Sequence, residues 1–552
     1  MTMKTKFAAA LAFGALGICS SVCEAQRVAY ADSDPRLAET LPDQLIVKYR
    51  KEPKPAQLLL DLSAASDVSA RHGVALTHKR RGALGFHVFK LDHAISVAEL
   101  RTLANEMRAN NPNIEYAEPD LVMQAMFVPN DPSYFQQWSL TSSTAGINVQ
   151  GAWDIATGVG VRVAVLDTGY RPHVDLAPNI VGGYDFITST TKSVDGNGRD
   201  SDPSDPGTSC NGAMAWHGTH VAGILGAVTN NNLGIAGVAF GAQIVPVRVL
   251  GCGGGDTSDI ADAIVWASGG AVSGVPSNPS PARVLSLSLG AQGAGSCGST
   301  FQSAINSAIS RGSVVVVAAG NGAVDAASTP PGNCSGVVTV AATDQTGGRA
   351  EYSNFGSTVE IAAPGGDITP TASNGVFSLY NDGVAGSPGF DTYAWANGTS
   401  MATPHAAGIA ALMLSANSSL SPADVTNLLQ FTARNFPASC VGCGTGIVDA
   451  GAAVSMAAGP NPPVITDTGI LGCNGTYQLF WNTLPGVTSY NVWRKTPSAT
   501  KPSLYTTSTG GSAAVAVPRG SGLTNFYVSS CTGSSCGKPS LPASLAYYSG
   551  CP

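Results

Sequence analysis

The chain has 552 residues, of which 44% are hydrophobic and only 12% charged, with a formal net charge of −7. That length predicts about three domains with ample core, and the composition excludes a disordered or coiled-coil chain. So small a negative charge excludes a nucleic-acid binder that works by neutralising phosphates.

Residues 1–25 carry Lys4 and Lys6, an apolar run from Phe7 to Ile18, and a small-residue end at Cys23-Glu24-Ala25. This is the layout of a cleaved secretory leader, too short for a stable membrane span. A lipid-anchored reading at Cys19 is weaker, because Ile18 is larger than such cleavage usually accepts. No later run is long and apolar enough to cross a bilayer, so a secreted, extracellular product with no membrane partner is expected. The cysteines that remain fall into two even groups, Cys210 to Cys443 and Cys473 to Cys551, as an oxidising compartment favours.

Residues 26–125 read as a small α/β unit: strand 45–49, helix near 56–72, strand 85–91, helix near 96–109 and a closing strand 114–120. From 126 to 458, β-branched runs at 161–166, 244–249, 284–289, 314–319, 337–341 and 359–362 alternate with helical stretches. That alternation predicts an α/β fold of three layers, a parallel sheet with helices on both faces. Gly459-Pro460-Asn461-Pro462-Pro463 is a stiff linker, and 464–552 reads as a small all-β sandwich.

Chemistry gathers at strand ends and helix starts. Asp167 closes the buried strand Val161-Arg162-Val163-Ala164-Val165-Leu166 before Thr168-Gly169, and open parallel sheets place their sites at such ends. His217-Gly218-Thr219-His220 opens a small-residue helix. Gly320-Asn321 follows the run Val314 to Ala319, where the Asn321 amide can donate to an oxyanion. Ser400, in Gly398-Thr399-Ser400-Met401-Ala402-Thr403-Pro404-His405, stands at a helix N-terminus whose unpaired N–H groups favour developing negative charge. A serine hydroxyl needs a base and the base an orienting acid, so Asp167, His217 and Ser400 form a candidate nucleophilic set. A zinc pair from His217 and His220 is the competing reading, and it lacks a third ligand at helical spacing.

These motifs, in the order Asp, His, Asn, Ser, resemble the subtilisin-like serine proteases. The resemblance implies that Asp167 orients, His217 is general base and acid, Ser400 attacks, and Asn321 with the Ser400 N–H forms the oxyanion hole. His220 is then structural. It implies that 26–125 is an inhibitory propeptide, Asn111-Pro112-Asn113-Ile114-Glu115-Tyr116-Ala117-Glu118-Pro119-Asp120 being its characteristic end, with cleavage between Met123 and Val128. A stand-alone domain with permanent regulatory duty is the alternative for that unit. Residues 126–458 become the catalytic domain of a monomeric endopeptidase whose partners are protein or peptide substrates and its own propeptide.

An extended peptide can pair as an added strand between Gly253-Gly254-Gly255 and Ser288-Leu289-Gly290. The pocket walls, Ser288-Leu289-Gly290 and Ala318-Ala319-Gly320, carry no acid, which predicts a large apolar P1 side chain over Lys or Arg; the loop holding Asp325 is what could reverse this. By resemblance to thermitase-like members, Ca2+ is the expected ion, held by side chains of Asp131, Asp175 and Asn231 and carbonyls of Leu233 and Ile235, an all-oxygen set suited to a hard cation. A second candidate set is Asp195, Asp200 and Asp205 in an acidic insertion that departs from the EF-hand pattern at Arg199. Resemblance to secreted bacterial members suggests Cys210–Cys252, Cys297–Cys334 and Cys440–Cys443 as disulfides, although spacing alone leaves the pairing open. The tail pattern Trp481, Leu484-Pro485-Gly486, Tyr490 and Trp493-Arg494 resembles a fibronectin type III-like sandwich, with aromatics for attachment or for a core. A secreted binding protein with a catalytically idle scaffold is the alternative from another class.

Overall fold

The computed structural model describes residues 42–51, 53, 72–95, 97–121, 127–207, 215–369, 371–383, 387–472, 475–533 and 535–547. The expected leader, the expected helix near 56–72 apart from its last residue, most of the expected cleavage window, and Cys210, Cys473 and Cys551 lie outside them.

Seven parallel strands form the central sheet, in the order Ile361–Pro364, Val338–Thr343, Val314–Ala318, Val284–Leu287, Arg162–Asp167, Gln243–Arg248 and Tyr184–Asp185. Their residues are buried almost throughout, as a sheet covered on both faces requires. Alternation splits them between two cores. Val163 and Val165 face the helices His217–Gly226, Thr399–Ala416 and Ala450–Ala458, whereas Ala164 and Leu166 face Thr257–Ala267 and Ser299–Ser310. These are the three expected layers. The six expected strands are present within two residues of their expected ends.

Three elements were not legible beforehand. Tyr184–Asp185 is only two residues long. The antiparallel hairpin Val376–Asn381 with Asp391–Ala396 packs on the helix that His217 opens, through contacts such as Ser378 Oγ to the His220 carbonyl at 2.7 Å. In the N-terminal unit an extra basic strand, Leu76–Arg81, forms the edge of a four-stranded antiparallel sheet, followed by Phe86–Leu91, Gln44–Tyr49 and Ile114–Pro119. The helix Val97–Asn110 closes its core with Leu100, Leu103 and Met107.

The tail is a pair of β-sheets, one of three strands and one of five, around Tyr477, Leu479, Trp481, Tyr490, Val492, Phe526 and Val528. The aromatics Trp481, Tyr490 and Trp493 are core or seam, whereas Phe480 is exposed. Trp481 is 4% and Tyr490 2% exposed, and Trp493 lies edge-on to Phe431 of the helix Pro422–Thr432 at 4.8 Å. Lys538 pairs with Asp424 of that helix at 3.0 Å.

Candidate active site

The buried strand Arg162–Asp167 delivers Asp167 to its C-terminal end with no exposed surface. His217 is the first residue of the facing helix, and its Nδ1 meets Asp167 Oδ1 at 2.6 Å. Thr168 N donates to the same oxygen at 2.7 Å, which fixes the carboxylate plane. Burial works against the imidazolium, but the charge and hydrogen bond of Asp167, with the charge of Asp205 behind, outweigh it and hold His217 above its ordinary value. A base so placed keeps the tautomer with Nε2 free to accept a proton.

The second half of the site is built around the start of the helix Thr399–Ala416. Asn321 Oδ1 accepts from Thr399 N and from Thr399 Oγ1, each at 2.8 Å, leaving Nδ2 free among the described residues. Ser400 follows directly, where backbone N–H groups have no partner inside the helix. Its Oγ rests on the Ser288 carbonyl at 3.3 Å, and Ser288 Oγ donates to the Ser400 carbonyl at 2.9 Å. The helices that carry His217 and Ser400 pack against each other, and Val221, Ala222, Leu225, Ala406, Ala407 and Ala410 belong to the core they share. An acid–imidazole pair and a helix-start serine beside a free amide donor can perform acyl transfer.

The subtilase family model matches residues 158–461, more than half of the chain. The chain belongs to the subtilase family. An extracellular protease of Xanthomonas campestris pv. campestris is 49% identical over 409 residues, spanning 72% of this chain and 68% of that one. The extracellular basic protease of Dichelobacter nodosus is 38% identical over 479 residues, covering 81% of this chain and 77% of its own length. Thermitase of Thermoactinomyces vulgaris is 40% identical over 298 residues, 53% of this chain and 88% of thermitase. A solved protease structure from Pseudoalteromonas arctica superposes with a TM-score of 0.58 at 54% identity, covering 60% of this chain and 100% of that one. This subtilase is an extracellular serine protease that acts on protein substrates.

A cleft of about 490 Å³ runs from Ser400 and Asn321 past Gly254, Gly255, Ser288, Leu289, Gly290, Ala318 and Gly320, the residues expected to take substrate. Ala319 does not line it. That residue is fully buried with its carbonyl held by Asn354 Nδ2 at 2.9 Å, because neighbours on a strand face opposite ways. Among the described residues no charged side chain lines the cleft. Asp325 turns away to cap Ala327 N at 2.9 Å. Sequence reasoning missed Ile260, Phe301 and Gln292, cleft residues contributed from elements distant in the chain. It also missed Asn354, whose side chain holds Gly322 N, Val324 N and Thr329 Oγ1 and so shapes the loop that carries Asn321. A small-residue turn around a buried asparagine was the only available hint.

His220 is structural, as expected. Its Nε2 bonds the Ala394 carbonyl at 3.1 Å, and burial pushes it down to about 3, so it is neutral. His217 Nδ1 is committed to Asp167 and His220 Nε2 to the Ala394 carbonyl, and among the described residues no group of three His, Cys, Asp or Glu side chains is placed to hold a metal.

The first calcium set is brought together. Asp131 and Asp175, 4% and 0% exposed, meet through the loop 230–235: Asp131 accepts from Asn230 N and Asn231 N, and Asp175 from Asn231 Nδ2 at 2.8 Å and Ile235 N. Neither forms an ion pair among the described residues. Two buried carboxylates side by side, with no cation among the described residues to answer them, fit a hard divalent ion.

The second set differs from expectation. Asp195, Asp200 and Asp205 line one cleft, but Asp195 is bonded by Arg248, Asp200 by Asn197, and Asp205 by Thr168, Trp216 and Gly207. Arg199, at the position where a ligand belongs, pairs instead with Asp259 and Asp262. Among the described residues an arginine meets only Asp195 of the three, and neutral donors hold Asp200 and Asp205.

Cys297–Cys334 and Cys440–Cys443 are joined, and Cys531–Cys536 adds a staple within the tail. Cys252 is disulfide-bonded, and Cys210, its expected partner, lies outside the described residues.

Proposed function

We propose that this subtilase is a broad-specificity endopeptidase in which Ser400, His217 and Asp167 act as nucleophile, base and orienting acid. The Asp167–His217 hydrogen bond at 2.6 Å, with the acid fully buried, is the observation that carries this reading. Ser400 Oγ leaves the Ser288 carbonyl, gives its proton to His217 Nε2 and attacks the scissile carbonyl carbon. Catalytic hydrogen bonds that are loose in a free enzyme tighten in this way on substrate binding. The oxyanion is received by Asn321 Nδ2 and the Ser400 N–H. His217 then protonates the leaving amine, and water repeats the sequence to free the acid.

The uncharged cleft supports a large apolar P1 residue, and the glycine-edged strands support breadth by pairing with substrate backbone. Residues 26–125 act as an inhibitory propeptide in a secreted zymogen, which suits a large parallel sheet that folds slowly through non-local contacts. Calcium held by the side chains of Asp131, Asp175 and Asn231 and the carbonyls of Leu233 and Ile235 supplies the positive charge that this buried acidic pair calls for. Bound there, it fastens the 230–235 loop to the N-terminal segment of the catalytic domain and takes no part in the chemistry.

Labelling with a fluorophosphonate tests the mechanism: Ser400 is modified, and Ser400→Ala removes both label and activity. A peptide library tests specificity, with Phe or Leu at P1 exceeding Lys by about tenfold or more in kcat/KM, since a charged group in an uncharged site stays unpaired. Strict preference for a basic P1 contradicts the specificity part.

A further inference from the structure

Both peptide N–H groups that flank His217 answer to one buried carboxylate. Asp205 is 1% exposed, and its Oδ2 accepts from Trp216 N at 3.2 Å and from Thr168 Oγ1 at 2.7 Å. The same Thr168 hydroxyl accepts from Gly218 N at 3.0 Å, while Thr168 N holds Asp167 Oδ1, the atom that meets the imidazole. Asp205 Oδ1 takes Gly207 N at 2.8 Å, which anchors the carboxylate to its own loop.

The flanking geometry needs such an anchor. Trp216 has φ of 64°, a left-handed conformation that a bulky residue keeps only where its surroundings impose it. That residue sets the direction in which His217 leaves the chain. On the other side, a Cβ on Gly218 would sit 2.0 Å from the Gly169 carbonyl, so the helix start rests directly on the turn after Asp167.

We propose that Asp205, acting directly on Trp216 and through the Thr168 hydroxyl on Gly218, is a positioning residue that fixes the separation and angle of the Asp167–His217 pair. It touches no substrate. Its negative charge also lies behind the imidazole and adds to that of Asp167. Among the described residues the buried, neutral His220 also lies beside His217, and Arg248 on the neighbouring strand and Tyr380 of the hairpin face Asp205. The inference rests on the roles proposed above for Asp167, His217 and Ser400.

The test compares Asp205→Asn, Thr168→Val and Thr168→Ser, with each kcat divided by the concentration of serine that a fluorophosphonate labels. Asn keeps the size of the side chain and loses its charge; Val keeps the shape of Thr and loses the hydroxyl. In Asp205→Asn and Thr168→Val, kcat per labelled serine falls about 10- to 100-fold with KM changed less than about threefold, the scale of a small misplacement of catalytic groups. Thr168→Ser restores it. The acid limb of kcat/KM moves to lower pH in Asp205→Asn, where a negative charge near the imidazole is gone, and moves less in Thr168→Val. Unchanged turnover per labelled serine in both variants overturns the inference, and so does an equal loss in the Ser and Val variants. Should Asp205→Asn fail to fold, the comparison of Val with Ser decides alone. Failure to label Ser400 in the unaltered protein sinks the proposed mechanism and this inference with it, whereas normal labelling with unchanged turnover sinks only the inference.

Discussion

Replacing Arg248 by Met isolates what one buried charge does beneath the site. Arg248 and Asp185 are both fully buried, with Nη1 on Asp185 Oδ2 at 2.5 Å, and the guanidinium also bonds Asp195 and the Ser193 carbonyl. Arg248 stands in register with Asp167 on the next strand, so the disturbance begins one residue pair from the proposed triad. Removing one member of a buried pair leaves the other uncompensated at a cost of about 3–5 kcal/mol, undiminished here by solvent. The pH dependence has a definite sign. Burial pushes Asp185 from 3.8 up to about 7 against the charge and hydrogen bond of Arg248. A folded value raised above the unfolded one contributes stability that is present below 3.8 and lost as pH rises through about 7. Without Arg248 the folded value climbs further, so the window of loss extends upward. Urea unfolding in a Ser400→Ala background, chosen to prevent self-digestion, measures this at pH 5 and pH 8. Arg248→Met loses about 3–5 kcal/mol at pH 8 and clearly less at pH 5, and a second change, Asp185→Leu, recovers most of the loss. An equal loss at both pH values, or no recovery in the double variant, refutes the reasoning.

Chelation with EGTA lowers the unfolding free energy of the Ser400→Ala protein, by about 4 kcal/mol where calcium had been at a thousandfold excess over Kd. Asp175→Asn cancels most of that response, and a protein indifferent to the chelator contradicts the calcium site. Changing both Cys297 and Cys334, 37 residues apart, to Ser costs about 4 kcal/mol by loop entropy, read from the urea midpoint, and an unchanged midpoint argues against it. The pH profile of kcat/KM reports the base: because Asp167 and Asp205 hold His217 above 6.5, activity falls as pH drops through a midpoint higher than that. An acid limb below 6.5 contradicts the assigned environment of the imidazole.

The parallel sheet was legible because buried β-branched runs such as Val314 to Val317 admit no other structure of that length between helical stretches. The hairpin of Val376–Asn381 with Asp391–Ala396 was not, since its outer strand shows no period-two burial, with three half-buried residues in a row, and takes its order from the helix beneath. The acidic insertion misled for a related reason. Carboxylate spacing along a chain resembles a ligand set whatever answers each carboxylate, and here Asp195 is met by Arg248 from 53 residues' separation while Arg199, inside the insertion, turns to Asp259 60 residues away.

What the sequence by itself determined is the chemistry: an acid at the end of a buried strand, an imidazole and a hydroxyl at helix starts, and an amide after a valine run. Residue type and local backbone are enough for that, because strand ends, glycine turns and helix N-termini present side chains by short-range geometry. Only the tertiary structure decided which carboxylate meets His217 across 50 residues, that Ala318 faces the cleft while Ala319 is buried, and that Asp205 accepts from Trp216 N and Thr168 Oγ1 beside the base. Those outcomes depend on side-chain direction and on partners far away in the chain, and burial makes each of them a matter of which polar group is left without an alternative.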